Sequence, residues 1–227
     1  MSLLVFKGVT KSYNANDIAL RKINFELAPG EFAALSGPSG SGKSTVLYLA
    51  AGLDIPTQGS VHLLGRDLKK LSPQEMSNLR RHAVGFIFQA YNLFPVLTAI
   101  ENVEYPLALQ GVSRRDRGDL AKQALNEVGM AKFAKRRPNQ LSGGQQQRVA
   151  IARAMVTEPK IIFADEPTAN LDSKTSERLL ELFGELNANH NITFLFSTHD
   201  PKILSLVKRV IEVADGEILK DHTKKAA

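Results

Sequence analysis

The chain has 227 residues, 43% hydrophobic and 23% charged, enough for one large domain or for a domain with an inserted lobe. It has no cysteine, which excludes disulfides and thiolate metal sites, and no run approaches the ~20 apolar residues that a membrane-spanning helix needs. The formal net charge is +6, and the basic runs at 80–81, 114–117 and 135–137 read either as a solvated surface or as attraction to anionic headgroups or nucleotide phosphates.

The opening MSLLVFKGVTKSY lacks a basic start followed by a long apolar region, so no signal peptide is expected. LLVFKGVTKSY and IALRKINFELAPG have period-two stretches with a turn at Pro29-Gly30, consistent with an antiparallel hairpin. EFAALSG predicts a short apolar strand running into a glycine-rich loop, and KSTVLYLAAGL a helix closed at Gly52. After GSVHLLG, SPQEMSNLRRH predicts a helix opened by Ser72 and Pro73, and AVGFIFQ a buried strand. From about residue 90 the signal turns helical. TAIENVEYPLALQG ends at Gly111, and SRRDRGDLAKQALNEVGM places Leu120, Ala124 and Val128 on one helix face. Beyond 157, KIIFAD, SKTSERLLELFGELNAN, ITFLFST, PKILSLV and KRVIEVADGEI alternate strand with helix, the pattern of a mostly parallel sheet with crossover helices. The expectation is an α/β core of residues 1–89 and 158–227, carrying an N-terminal antiparallel β subdomain, with an α-helical subdomain of residues 90–157 inserted.

GPSGSGKST at 37–45 fits G-x-x-x-x-G-K-[ST], with Gly37, Gly42, Lys43 and Ser44 at the fixed positions, between an apolar strand and a helix. Its glycines let backbone N–H groups turn toward phosphates, and the helix start adds partial positive charge. Lys43 would reach the β- and γ-phosphates and the Ser44 hydroxyl would ligate Mg²⁺, so the chain is expected to bind a nucleoside triphosphate. KIIFADEPT is an apolar strand ending in two carboxylates. Asp165 would hold Mg²⁺ through its water shell, and Glu166, projecting differently, is the candidate general base for a water in line with the γ-phosphate.

A second phosphate-type helix start appears in LSGGQQQRVAIARAMV at 141–156. Ser142 and Gln145 have the spacing of a capping box, and Gly143 and Gly144 leave backbone N–H groups unshielded, as a closely approaching phosphate requires. Alone, the stretch reads as a well-capped amphipathic helix with Val149, Ala152 and Val156 inward.

Taken in order, GPSGSGKST, Gln89 after VGFIF, LSGGQ, IIFADE, ANLD and STHD resemble the motif set of ATP-binding-cassette ATPases, over nearly the whole chain from Tyr13 to about residue 220. The resemblance implies a P-loop NTPase fold with a RecA-like sheet and an ATP site along Gly37, Pro38, Ser39, Gly40, Ser41, Gly42, Lys43, Ser44 and Thr45. It implies that Tyr13 stacks on adenine, that Gln89 contacts Mg²⁺ and water, and that His199 contacts the γ-phosphate and steadies the attacking water. Asp172 matches the residue that communicates across a dimer; alone it reads equally as a helix N-cap. Because the phosphate loop already has its own equipment, Ser142, Gly143, Gly144, Gln145 and Asp172 would serve the ATP of a second copy, arranged head to tail with two ATPs between.

The other partner implied is an integral membrane permease on a separate chain, with this subunit on the cytoplasmic face of the inner membrane. Its docking helix is expected beside Gln89, near AYNLFPVLT. GLDIPTQGSV, FIFQAYNLFPVLTAIENVEYPL and ADEPTANLD look most like the ATPase subunits of lipoprotein-releasing, macrolide-efflux and cell-division-linked complexes; polar amino-acid importers and peptide-efflux systems are the alternative. No heptad run separates Gln89 from Leu141, so the DNA-repair and chromosome-organising branch is disfavoured and no nucleic-acid partner is expected.

Overall fold

The computed structural model describes residues 2–14 and 17–224. Strands β1 (Leu4–Asn14) and β2 (Asp17–Leu27) form an antiparallel hairpin in which Leu4 faces Leu27 and Asn14 faces Asp17. Residues 15 and 16 lie outside the described residues. The Pro29-Gly30 turn instead carries the chain from β2 into β3 (Phe32–Ser36), in another sheet. After β3 come α1 (Lys43–Ala50), β4 (Gln58–Leu63), β5 (Arg66–Asp67), α2 (Pro73–Ala83) and β6 (Val84–Ile87). Three helices follow, α3 (Ala99–Leu109), α4 (Arg114–Glu127) and α5 (Gly143–Met155). The chain ends with β7 (Ile161–Asp165), α6 (Ser173–His190), β8 (Thr193–Thr198), α7 (Pro201–Leu206), β9 (Arg209–Ala214) and β10 (Glu217–Thr223).

One sheet is antiparallel, in the order β2-β1-β4-β5; the other runs β10-β9-β3-β8-β7-β6 and is parallel except at the β9–β10 edge. KRVIEVADGEI is two strands rather than one. Asp215 and Gly216 both have positive φ, 49° and 78°, the conformation an Asp-Gly hairpin turn needs, and β10 folds back on β9 there.

The parallel strands are apolar on both faces because they divide two cores between them. Successive residues point to opposite sides of a strand, so Phe194 and Phe196 join one cluster and Leu195 the other. Ile162 and Ala164 likewise oppose Ile161 and Phe163, and Phe32 and Ala34 oppose Ala33 and Leu35. The first cluster packs the sheet against α5, α6 and the inner faces of α3 and α4; the second packs it against α1 and the antiparallel sheet. The buried stripe of α4 is Ala121, Ala124 and Leu125, continued by Val128; Ala124 and Val128 face inward as their spacing predicts, whereas Leu120 is exposed and Ala121 takes its place on the stripe.

The helix starts are chemically marked. Ser72 with Glu75 opens α2, Thr98 with Glu101 opens α3, and Ser142 with Gln145 opens α5, each as a reciprocal capping box. Asn102, fully buried on α3, accepts from the Phe94 N–H at 2.8 Å. Its amide lies 3.2 Å from the Phe94 and Leu97 carbonyls and 3.0 Å from that of Thr98, pinning the loop before the helix.

Candidate functional site

The phosphate loop leaves the C-terminal end of β3 and enters α1, the place where parallel sheets bind ligands. It runs hard against its surroundings: a Cβ on Gly37 would sit 1.9 Å from the Val213 carbonyl oxygen on β9. Gly42, the residue before α1, has φ 101°, a conformation that disfavours any residue with a Cβ. Lys43 is buried and folds back on the loop, its Nζ donating to the carbonyls of Gly37 and Pro38, both at 2.8 Å. That places an ammonium inside the ring of residues that would surround a phosphate.

The loop forms one wall of a cavity of about 390 Å³. Ser39, Gly40, Gly42, Lys43, Ser44 and Thr45 line it from that side, and Gln89, Glu166, Ser197 and His199 from the ends of neighbouring strands. Asp17, Ile18 and Ala19 close it from the β-hairpin. Five separate stretches of sequence thus converge on one space. Tyr13 lies outside this lining, more than half exposed near the hairpin end, with the Lys11 ammonium 4.9 Å from its ring centre and its hydroxyl 3.3 Å from Asp54. Gly37, Pro38 and Ser41 form the back of the loop rather than the wall.

Asp165, the last residue of β7, is buried behind the loop and accepts a hydrogen bond from the Ser44 hydroxyl at 3.0 Å. Tyr48 on α1 stands on its other side; burial, and then the Asp165 charge, push its phenol above the ordinary value. The Ser44 hydroxyl and Asp165 carboxylate are hard oxygen donors, too few for a closed all-protein cage. This fits Mg²⁺, which keeps several waters and takes one or two protein oxygens plus substrate phosphates.

Glu166 leaves the strand in the left-handed region, φ 44°, which for a residue with a side chain costs on the order of 1–3 kcal/mol. Its N–H donating to the Ser197 carbonyl at 2.8 Å holds it there. The turn swings its carboxylate away from Asp165 and toward the histidine after β8. His199 Nδ1 is 2.8 Å from Glu166 Oε1, and the Thr198 hydroxyl is 3.4 Å from Oε2. Against an ionised carboxylate Nδ1 is the donor, so Nε2 remains for a ligand, and the carboxylate keeps lone pairs for a water. A second tie runs behind: the buried Thr168 hydroxyl donates to Asp200 at 2.8 Å, and Asp200 caps α7. Thr198 and Asp200 stood in the STHD motif, and Thr168 in KIIFADEPT, without a role.

Ser142, Gly143, Gly144, Gln145 and Asp172 are not among the residues that line this cavity. They cluster with each other instead. The Ser142 N–H donates to Gln145 Oε1 at 3.0 Å, and a Cβ on Gly144 would come 2.4 Å from Thr175 Cγ2, one turn into the helix that Asp172 caps. Asp172 is that N-cap, accepting from the Thr175 N–H and hydroxyl, which hold its carboxyl below the usual range. Val149, Ala152 and Val156 are buried, and Ala150 and Ile151 with them, so α5 is enclosed well beyond a single face. Gln89 is tethered through its carbonyl, which accepts from Asn170 at 3.0 Å. Beyond it Tyr91 and Asn92 take positive φ, and both their carbonyls accept from Arg153, whose pKa burial lowers to about 10.

A family model described as ABC transporter matches residues 20–169, about two-thirds of the chain. The lipoprotein-releasing system ATP-binding protein LolD of Geobacter metallireducens is 43% identical over 223 residues, covering 97% of this chain and 99% of that protein. The macrolide export ATP-binding/permease protein MacB of Syntrophobacter fumaroxidans is 42% identical over 96% of this chain, which spans only 31% of that longer protein. The dimeric, post-hydrolysis structure of the ATP-binding cassette MJ0796 with ADP and Pi superimposes with a TM-score of 0.91 at 41% identity, covering 99% of this chain and 100% of that one. On the motif order, the fold and these matches, the chain belongs to the ABC transporter family, as one of its ATPase cassettes.

Proposed function

We propose that this chain binds and hydrolyses ATP as a head-to-tail dimer and drives a separate membrane permease of the lipoprotein-release or macrolide-efflux type. The observation that carries the catalytic part is the 2.8 Å contact between His199 and Glu166 at the mouth of the phosphate-loop cavity. ATP enters with its phosphates on the loop N–H groups and the Lys43 ammonium, and Tyr13 offers an exposed ring for the base. Bound Mg²⁺ supplies charge neutralisation of the β- and γ-phosphates; Ser44 and Asp165 would hold it, with Gln89 at its edge. Glu166 takes the proton of the attacking water, and His199 fixes that carboxylate and turns Nε2 toward the γ-phosphate. Catalysis is positioning plus electrostatics, with no covalent intermediate on the protein.

The dimer reading rests on two facts. The Ser142–Gln145 helix start sits outside the chain's own cavity, and the similar MJ0796 cassette is dimeric. In this reading Ser142, Gly143, Gly144, Gln145 and Asp172 meet the ATP of the second copy.

Residues 90–157 act as a lobe that conveys the nucleotide state outward. Between it and α2 lies a groove of about 470 Å³ lined by Phe86, Phe88, Phe94, Tyr105 and Leu109, with Arg80, Arg81 and Arg153 among its walls. The permease would dock there. Among the described residues no helix is long and apolar enough to cross a membrane. The reading of a separate permease, with this subunit held peripherally at the cytoplasmic face, draws on the likeness to the lipoprotein-releasing system ATP-binding protein, 99% of which this chain covers.

Glu166→Gln tests the assignment. It is expected to lower ATPase activity by about 10²–10⁴-fold, the range for losing a general base. It should also accumulate an ATP-bound dimer on size exclusion. A variant that hydrolyses at the wild-type rate, or stays monomeric at saturating ATP and Mg²⁺, would overturn the reading.

A further inference from the structure

We infer that Gln147 is a positioning residue that ties the hydrolysis of a chain's own ATP to occupancy of its partner's. Gln147 is fully buried on α5, and its Nε2 donates to the Pro167 carbonyl at 2.9 Å. Its own Oε1 is buried without a partner. A side chain kept in a core with half its amide unsatisfied does not add to stability, so its use lies in the bond it makes.

That bond joins two places of opposite allegiance. Gln147 lies four residues after Gly143, on the same face of the helix whose first turn meets the partner's phosphates. Pro167 follows Glu166 directly, and its ring leaves the intervening backbone little freedom, so the carbonyl held by Gln147 moves with the carboxylate one residue earlier. Among the described residues two other side-chain links join residues 90–157 to the rest of the chain, the hydrogen bond from Gln110 to the Arg81 carbonyl and the His190–Glu127 pair at 3.5 Å. Both lie away from the cavity lining.

When the partner's γ-phosphate seats against Ser142 and Gly144, α5 settles and Gln147 holds the Glu166 segment in register. When that site is empty, the same bond lets Glu166 drift. Each ATP therefore licenses hydrolysis of the other through the chain that does not bind it at its own phosphate loop. The inference rests on the head-to-tail arrangement proposed above.

Mixed dimers separate this from a general effect on the interface. Gln147→Leu and Gln147→Met exchange one unpartnered oxygen for another, so their thermal midpoints should stay within about 5 °C of wild type. As homodimers they should show kcat about tenfold lower, with KM and trapped-dimer formation in the Glu166→Gln background unchanged. A Gln147→Leu chain paired with a Glu166→Gln chain has its one working base beside the altered residue and should be slow. A chain with both changes, paired with wild type, should hydrolyse at the rate of a wild-type/Glu166→Gln dimer. Equal rates in the two pairings, or a slow second pairing, would overturn the proposal. So would unaltered kcat in the homodimers, or variants that collapse, which would give Gln147 a folding role instead. If Glu166→Gln alone fails to trap a dimer, it is the underlying reading that fails.

Discussion

Replacing Asn102 with leucine isolates the loop that follows Gln89 from the chemistry of the cavity. The amide satisfies the Phe94 N–H and lies near three carbonyls from a fully buried position. Two of those carbonyls keep another partner: Phe94 still accepts from the Leu97 N–H, and Thr98 from the Asn102 N–H within the helix. The Phe94 N–H and the Leu97 carbonyl lose the partner the structure gives them. At about 1–3 kcal/mol per unsatisfied buried group, reduced because Phe94 itself is partly exposed, the loss comes to about 2–3 kcal/mol. For a domain of this size that is a fall of ~5–10 °C in Tm. Calorimetry or thermal circular dichroism reads it directly. None of these residues lines the nucleotide cavity, so affinity for a fluorescent ATP analogue should change less than twofold. Asn102→Asp should be worse at pH 7, because it sets a carboxylate against carbonyl oxygens. It should recover part of the deficit toward pH 5, since a carboxyl raised in the fold loses stability as pH climbs. A leucine variant melting within 1 °C of wild type would refute the hydrogen-bond accounting.

Two further outcomes follow from local geometry. Gly37→Ala drives a methyl into the Val213 carbonyl oxygen, a backbone atom that no rotamer change can move, so the loop must shift; ATP-analogue binding should weaken at least tenfold. Gly40→Ala meets nothing within 4 Å and should weaken it far less, its φ of 79° being the only penalty; equal effects would mean that space is not the issue. The Thr98 N–H and hydroxyl hold the Glu101 carboxyl below its usual range, so its contribution is present at neutral pH and fades as pH falls through the lowered folded value. Glu101→Gln should therefore differ from wild type in urea midpoint at pH 7, with the gap narrowing as the solution is made acid. A gap that does not narrow as pH falls would contradict this.

What could be read from the residues alone was whatever depends on chain-local chemistry. The phosphate loop, the capping box at Ser142, the helix start at Ser72 and Pro73, and the alternation of strand and helix are local patterns, and they appear where they were expected. The Asp-Gly turn that splits β9 from β10 was also present in the sequence, but it was absorbed into a single strand. The pairing of β1 with β2 and the inward face of α4 depend on which residues meet across space. Leu120 fits the periodicity as well as Ala121 does, and only packing against neighbouring elements decides between them. At the site, the residues with motif names were legible and those that orient them were not. Thr168, Thr198 and Gln147 are ordinary polar residues until distances show what they touch. The left-handed turn at Glu166 was likewise hidden, because glutamate carries no mark of that conformation.

The segment from Glu166 to Asp172 gives the proposed base a route by which distant events would reach it. The Glu166 N–H is bound to β8 through Ser197, and the Pro167 carbonyl to α5 through Gln147. Thr168 is bound to the cap of α7 through Asp200, Asn170 to the carbonyl of Gln89, and Asp172 to the first turn of α6. Five of seven consecutive residues are thus fastened to five different parts of the molecule, with almost no bond repeated. A segment held this way has little slack to absorb a shift in any one anchor, because relaxing toward one partner strains its ties to the others. The anchors are the elements a nucleotide cycle would displace: the strand ends around the phosphates, the helix offered to a second copy, and the residue that leads into the groove. Strain already present at Glu166 means that small displacements act on a backbone away from its resting minimum, where the energy rises steeply. Under the proposed function, hydrolysis would be sensitive to both the partner cassette and the membrane subunit because of how this one segment is fastened, without any further moving part.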